Sequence, residues 1–526
     1  MTAVVPRGAP QAPDLVPAPD PVPRPRPRAA RVGQDRSWVW PAAAVVLGAV
    51  GALWPLAAVV LLAGGAVLVL AFTAPRATAG LTALAVLFVR PLEHLVPFSE
   101  IGYLDEAMVT LCVVTMPLRR IVARAPLRTF PGQWWFAGFM VCGVLSALVL
   151  HVPFAIFLVS GFVTVKGLLL AWAVAQLDWS ERHLTVAARV GTVLILVVLA
   201  AAAVNLAIPG PWDAVLVTDT NAVESRSFLP SLVGPFTHPL DLGQFTALSF
   251  VALAAWRTTV GKSTFTLVLL VATALGALAT ARRTAIGSVV TTWLWLQAKL
   301  RSTAVLVALL ACLPVAALVL AAPLVRVVGA TYQDYIGKST PEARTVLTVD
   351  SVKVAAGYFP LGAGFGRFGS AGAATHYSPE YVARGYPYVW GLGQTEEEGR
   401  FLTDTEWPAI VGETGFFGAA AFALGLLAIY RAGMGLWMAR RTSLVRWAGL
   451  TAAGWVVASV VQSVATVTFT GPPVFGLLFG LVGIVAALSA DTTVPADTAL
   501  AESGADVGAW RRRRVDTRTS AGTSSG

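Results

Sequence analysis

Charged side chains are scarce. Asp, Glu, Lys and Arg make up 13% of the 526 residues, where soluble domains carry roughly 25%. With 56% hydrophobic residues and a mean hydropathy of +0.71, too little polar surface remains to cover a water-soluble fold of this size. A lipid solvent removes the difficulty, because apolar side chains then face outward. Cysteine is nearly absent: Cys112, Cys142 and Cys312 lie inside apolar runs with no C-x-x-C spacing. They read as small buried hydrophobes, and neither a disulfide nor a metal site is expected. Internal repeats are missing, as is an inverted pair of Gly/Pro-broken helices, which weakens a secondary-transporter reading. A cleavable signal peptide is not expected either. Residues 1–36 hold nine prolines and six arginines and no apolar run, the composition of a disordered tail. The apolar run that opens at Ser37 is followed at once by another and reads as a membrane anchor.

What is present is apolar and segmented. Runs fall at roughly 38–54, 55–73, 78–95, 104–118, 133–151, 153–176, 185–207, 239–256, 263–280, 284–298, 303–322, 408–430, 447–468 and 473–490. Several are shorter than the ~20 residues that span a bilayer comfortably. The first two form a candidate hairpin split at Trp54-Pro55, and Arg90 interrupts the third. The expected fold is all-α and polytopic, with about 12–14 transmembrane helices.

The net charge of +10 is distributed in a telling way. It sits in short clusters between apolar runs and in both tails, which argues for a membrane orientation signal and against nucleic acid. If the Arg-rich N-terminus is inside, the loops carrying Arg76, Arg119-Arg120, Arg182, Arg257, Lys299 and Arg440-Arg441 fall on the same side, as does the tail with 511–514. Both termini are then cytoplasmic. The layout is a disordered tail 1–36, membrane helices over 37–322, a large extracytoplasmic loop 323–407, further membrane helices over 408–490, and a disordered basic tail 491–526. The long loop is mixed, with seven Lys/Arg and nine Asp/Glu. Loops beyond ~12–15 residues are uncommon unless functional, so a water-exposed site on that face is expected from 208–238 and 323–407.

Three segments on that face hold polar groups at helix ends. The first enters the membrane as Thr237-His238-Pro239, with Asp241 one turn deeper and Arg226 upstream. Pro239 suits a first helical turn, and the plain reading of Asp241 is a capping carboxylate. The second is Arg282-Arg283, two arginines against the positive-inside bias. They either snorkel to lipid phosphate or clamp a phosphate or pyrophosphate, whose paired oxygens match a guanidinium fork. The third is the long loop, with Arg344, an amphipathic stretch from Thr345 to Tyr358, the run Pro360-Leu361-Gly362-Ala363-Gly364, and Thr403-Asp404-Thr405-Glu406-Trp407. The next helix opens Gly412-Glu413-Thr414-Gly415-Phe416-Phe417-Gly418. The spaced glycines suggest tight turns against a ligand or a neighbouring helix. Glu413 in an apolar helix calls for a partner, and an arginine is the simplest one.

Taken in order, these pieces resemble the O-antigen ligase / O-antigen polymerase family. Gly234-Pro235-Phe236-Thr237-His238-Pro239 is similar to its helix-entry motif. Arg283-Thr284 is similar to its Ser-Arg-Thr turn, with Arg282 in place of the serine. Arg344 with the Pro360–Gly run, and Asp404-Thr405 followed by the Glu413–Gly418 run, complete the likeness over about residues 226–430. Asp404 stands where ligases place a histidine, a departure that favours polymerase-like or exopolysaccharide members. The resemblance implies a GT-C-like membrane glycosyltransferase. Its donor would be an undecaprenyl-pyrophosphate-linked glycan and its acceptor a glycan or other hydroxyl. It would act by inversion without metal or cofactor, either alone or with a chain-length regulator. Arg283 and Arg344 would be the main pyrophosphate clamp, with Arg282, Arg226 and His238 in support. Asp404 would be the base or acceptor-orienting group, and Glu413 would orient an arginine. His376 is the weaker base candidate and reads as a surface histidine.

The rival reading is a transporter or flippase of lipid-linked glycan. It requires paired charges near the midplane, and Lys166 with Asp105 is the only obvious material. Lys166 is instead expected near the cytoplasmic interface or as a helix anchor. A polyprenyl-phosphosugar transferase would place paired acidic residues in the first outer loop, which is short here. A non-catalytic scaffold would leave the arginines dispensable.

Overall fold

The computed structural model describes residues 55–96, 98–217, 231–300, 343–395 and 398–490. The chain divides into two units, Met1–Gly65 and Ala66–Gly526. Of the first, the described part is the beginning of the apolar helix α1 (Pro55–Thr73). The second contains every element below.

Among the described residues there is helix and no strand. After α1 come α2 (Pro75–Leu95), α3 (Leu104–Val122), α4 (Gln133–Val149), α5 (Phe154–Ala175), α6 (Glu181–Ala207) and the short α7 (Pro209–Leu216). Then follow α8 (Pro239–Thr259), α9 (Thr264–Ala279) and α10 (Arg283–Leu300). The loop contributes α11 (Ala343–Gly357), α12 (Ala371–Thr375) and α13 (Pro379–Ala383). The chain closes with α14 (Glu406–Met438), α15 (Ser443–Gln462) and α16 (Val474–Ala490). Every apolar run inside the described residues carries a helix, because an uninterrupted apolar stretch must satisfy its own backbone when no water is available. The runs at 38–54 and 303–322, and with them the hairpin at Trp54-Pro55, lie outside those residues.

Among the described residues, five helical segments are long and apolar enough to cross a membrane: Glu100–Val122, Phe154–Ala175, Glu181–Ala207, Glu406–Met438 and Ser443–Gln462. Their outward faces are bare hydrocarbon. On α6, Val193 and Val197 are more than half exposed, and on the shorter α9 so are Val268 and Leu275. Aqueous solvent would penalise such continuous apolar faces, and lipid does not. The protein is therefore an all-α membrane protein.

Helix α14 is the hub. It packs on α15, α4 and α11, while α5 pairs with α16 and α8 packs against α9, α10 and α15. The core centres on Phe136, Phe139, Phe365, Phe422 and Phe469. Phe422 meets Phe139 at 5.1 Å and Phe469 at 5.5 Å between ring centroids. The loop has a core of its own, in which Leu347, Phe368, Tyr381, Tyr386 and Leu402 are buried. Tyr381 and Tyr386 stack at 5.2 Å. It is thus a folded, partly helical layer over one end of the bundle.

Helix α2 runs through Arg90 to Leu95, the end of its apolar run, and the guanidinium meets a carboxylate on α8. One sequence expectation changes here. The run 447–468 stops at Gln462, and residues 463–473 leave the helix to line a cavity.

Candidate functional site

The entry segment before α8 is fixed from α6 and α7. Asn205, buried near the end of α6, accepts from the Val233 and Gly234 N–H groups at 2.9 and 3.2 Å. Its amide donates to Asp213 Oδ1 at 2.9 Å, and the Trp212 indole donates to the Gly234 carbonyl at 2.7 Å. This sets the start of α8 so that His238 is its N-cap, with Nδ1 accepting from the Leu240 N–H at 3.0 Å. The cap is therefore histidine, and Asp241 is released for another partner.

The loop docks on α14 at a break in the helix. Gly415 has φ +69° and ψ −173°, a conformation that only glycine adopts easily. A Cβ there would meet the Leu361 carbonyl carbon and oxygen at 2.6 Å. The break frees carbonyls that the loop then uses: Ala363 and Gly364 N–H donate to Gly412 and Glu413 oxygens at 2.8 and 2.9 Å. Glu413 Oε1 accepts from the N–H groups of Gly366, Arg367 and Phe368 at 2.9, 3.0 and 3.2 Å, and from the Ser370 hydroxyl at 2.6 Å. This corrects the expectation that Glu413 orients an arginine. A carboxylate can be satisfied by four converging donors as well as by one guanidinium, and here the glycine-rich loop supplies them. Glu406 does the same for the segment after α15, accepting from Thr468 and Phe469 N–H at 2.6 and 3.0 Å and from the Thr470 hydroxyl at 3.1 Å.

These supports surround a cavity of about 400 Å³. Its walls come from α2, α5, the first turn of α8, the loop segments 369–372 and 400–405, the start of α14, and 466–472. Asp404 lies on the wall, held by Arg344. The Arg344 Nε donates to Asp404 Oδ2 at 2.5 Å and its Nη2 contacts the same oxygen. The Arg344 guanidinium also lies over the Phe401 ring, 5.8 Å from the centroid.

Two further charge clusters reach the same cavity. Arg90 Nη1 donates to both oxygens of the buried Asp241, at 3.0 and 3.3 Å. Lys166 lies deep in α5, 4% exposed, with its Nζ 2.6 Å from Asp105 Oδ2 and 2.5 Å from Glu106 Oε1 on α3. It also faces the Phe475 ring at 4.9 Å. Lys166 thus anchors α5 to the first turn of α3. The two carboxylates on α3 hold it inside the bundle.

Of the residues that the sequence singled out, the cavity gathers Lys166, His238, Asp241, Asp404 and Glu413, with Arg344 bound to Asp404. Arg283 opens α10 and the buried Arg282 precedes it, and neither lines the cavity. Their turn packs behind α8, where a Cβ on Gly243 would sit 2.8 Å from that of Ala285. Arg226 lies outside the described residues. His376 is exposed, ends α12, and does not line the cavity. Sequence reasoning missed the roles of Arg90 and Glu406. The one available signal was an arginine inside an apolar run, which is expensive without a partner. No protein-family model and no curated protein matches this chain.

Proposed function

We propose that the protein is a membrane glycosyltransferase. It would move a glycan from a polyprenyl-pyrophosphate carrier to an acceptor hydroxyl, as a polysaccharide polymerase or ligase at the outer face of a cell membrane. The observation that carries this reading is the juxtaposition of Asp404 and Arg344 at the wall of a polar cavity formed where the loop meets the bundle. Asp404 provides a carboxylate that can take the proton of an attacking hydroxyl, and Arg344 fixes its orientation. The attacking oxygen bonds to the anomeric carbon as the lipid pyrophosphate leaves with the electron pair of the broken bond. The charge that develops on the leaving group favours nearby cations in a site shielded from water. The loop layer makes that shield, Glu413 holds it in register on α14, and Glu406 holds the 468–470 segment beside it.

The test is a purified-protein assay with a synthetic undecaprenyl-pyrophosphate oligosaccharide, following chain extension and lipid-pyrophosphate release. Wild type is expected to transfer, and Asp404→Asn to lose about 10²–10⁴-fold of the rate while staying folded. Full activity in Asp404→Asn and Arg344→Ala together would sink the assignment.

A second reading has support of its own. Lys166 with Asp105 and Glu106 forms a buried charge cluster in the bundle that faces the cavity, the material that a transporter of lipid-linked glycan requires. Movement of a fluorescent lipid-linked oligosaccharide across proteoliposomes, without extension, would replace the first reading by the second.

A further inference from the structure

Arg90 is a cation at the cavity wall whose geometry is set by a dedicated partner, Asp241. Arg90 projects from α2 with its side chain 45% exposed, and the Asp241 side chain that holds it is 5% exposed. Asp241 takes Nη1 on both of its oxygens. Among the described residues, Nε and Nη2 of Arg90 make no hydrogen bond. A buried carboxylate therefore ties one corner of the guanidinium to α8, and Arg90 itself lines the cavity.

A second polar group lies at the same wall. Thr405 is 5% exposed, lines the cavity, and among the described residues its hydroxyl has no hydrogen-bond partner. Buried polar groups are nearly always satisfied, so an orphan at a cavity wall marks a place for a ligand atom. The wall bearing Thr405 and the wall bearing Asp241 are connected. Glu406 binds 468–470, and the Gln244 amide on α8 donates to the Thr466 hydroxyl at 2.6 Å. Lys166 also faces the cavity, but its ammonium is shared by two carboxylates. Arg90 is the better-placed donor.

We infer that Arg90, aimed by Asp241, and the Thr405 hydroxyl form a subsite for the phosphoryl oxygens of the ligand that enters this cavity. A guanidinium fork matches two oxygens on one phosphorus or across a diphosphate, and a threonine hydroxyl donates to a third. The subsite rests on the reading that this ligand is a polyprenyl diphosphate. It puts the diphosphate against α2 and α8, whereas the resemblance points to Arg283 and Arg344. Asp241 acts through Arg90 as a positioning residue.

The experiment is arginine footprinting of the full chain in phosphatidylcholine nanodiscs. Phenylglyoxal modification of Arg90 is read by peptide mass spectrometry with undecaprenyl pyrophosphate, inorganic pyrophosphate or phosphatidylglycerol added. Undecaprenyl pyrophosphate is expected to slow modification of Arg90 by at least about tenfold at saturation. Protection by inorganic pyrophosphate as well supports the subsite and assigns recognition to the phosphoryl group alone. Protection by phosphatidylglycerol alone overturns it, since Arg90 then meets only phospholipid headgroups. No protection by any of the three also overturns it. Arg90→Gln is expected to bind undecaprenyl pyrophosphate about tenfold more weakly, and it also removes the cation facing the buried Asp241, so its melting temperature is read beside the binding. Binding equal to wild type counts against the subsite, and the wild-type footprint decides should the variant not fold. Protection without transfer would leave the subsite standing and remove the enzyme reading. Transfer with Arg90 unprotected would do the reverse.

Discussion

Glu413 illustrates how a single buried carboxylate organises backbone. Its one oxygen collects three amide N–H groups and a hydroxyl from a stretch that has no regular secondary structure to satisfy them. Deleting the carboxylate orphans those donors together, and each buried unsatisfied group costs about 1–3 kcal/mol. Glu413→Ala is expected to lower stability by about 2–4 kcal/mol, the relaxed loop recovering part of the sum. Glu413→Gln keeps an acceptor oxygen and should cost less than half as much. Denaturant or thermal unfolding of the detergent-solubilised protein separates the two. Equal stability for wild type and the alanine variant would show that the loop does not depend on this contact. At Asp404 the chemistry is different, because its partner is the guanidinium of Arg344 rather than backbone amides.

The loop layer behaves as an element with its own acid–base signature. Burial pushes the Tyr386 hydroxyl well above the usual 10.0, with the nearby Asp350 carboxylate adding to the shift. Burial raises Tyr381 in the same direction, and the hydrogen bond to Glu380 raises Tyr358. Each folded value lies above the unfolded one, so the neutral form is favoured in the folded loop. The stabilisation is complete below about pH 10 and is lost as pH rises from there toward the folded values. Unfolding of the loop, read by hydrogen exchange or limited proteolysis, should accelerate above about pH 10. Tyr386→Phe should flatten that dependence, and a slope unchanged in the variant would place the titration elsewhere. The glycines that the sequence spaced along the loop have a local explanation too. Gly362 admits no side chain, since its Cβ would meet the Glu413 carbonyl carbon and the Gly415 nitrogen at 2.5 Å. They serve contact with a neighbouring helix, one of the two uses that their spacing allowed.

For the whole molecule, lipid changes what holds helices together. Tails are as apolar as leucine, so close packing and polar contacts carry the association. The Gly433 and Gly449 backbones lie against each other where α14 crosses α15. The Lys166–Asp105–Glu106 cluster joins α5 to α3, and Arg90–Asp241 joins α2 to α8. Lys166→Met leaves buried carboxylates without their cation and is expected to cost about 3–5 kcal/mol. Adding Asp105→Asn and Glu106→Gln removes the orphaned charge and should restore most of that stability. Thermal unfolding in nanodiscs reads both effects, and a triple variant no more stable than Lys166→Met would mean that the cluster is not an electrostatic unit.

Composition and apolar periodicity alone determined that this chain is helical and suited to lipid, because hydrocarbon tolerates only self-satisfied backbone and outward apolar side chains. The helix start at His238-Pro239 was also legible, since it rests on local backbone chemistry, whereas the break at Gly415 inside the 408–430 run was not. Most partnerships were not, Lys166 with Asp105 being the one pair that the sequence brought forward. Arg90 with Asp241, Arg344 with Asp404 and Glu413 with loop amides join positions far apart in sequence. A buried charge declares only that it needs compensation. Which of several available groups supplies it depends on how the helices cross, and only the tertiary structure decides that.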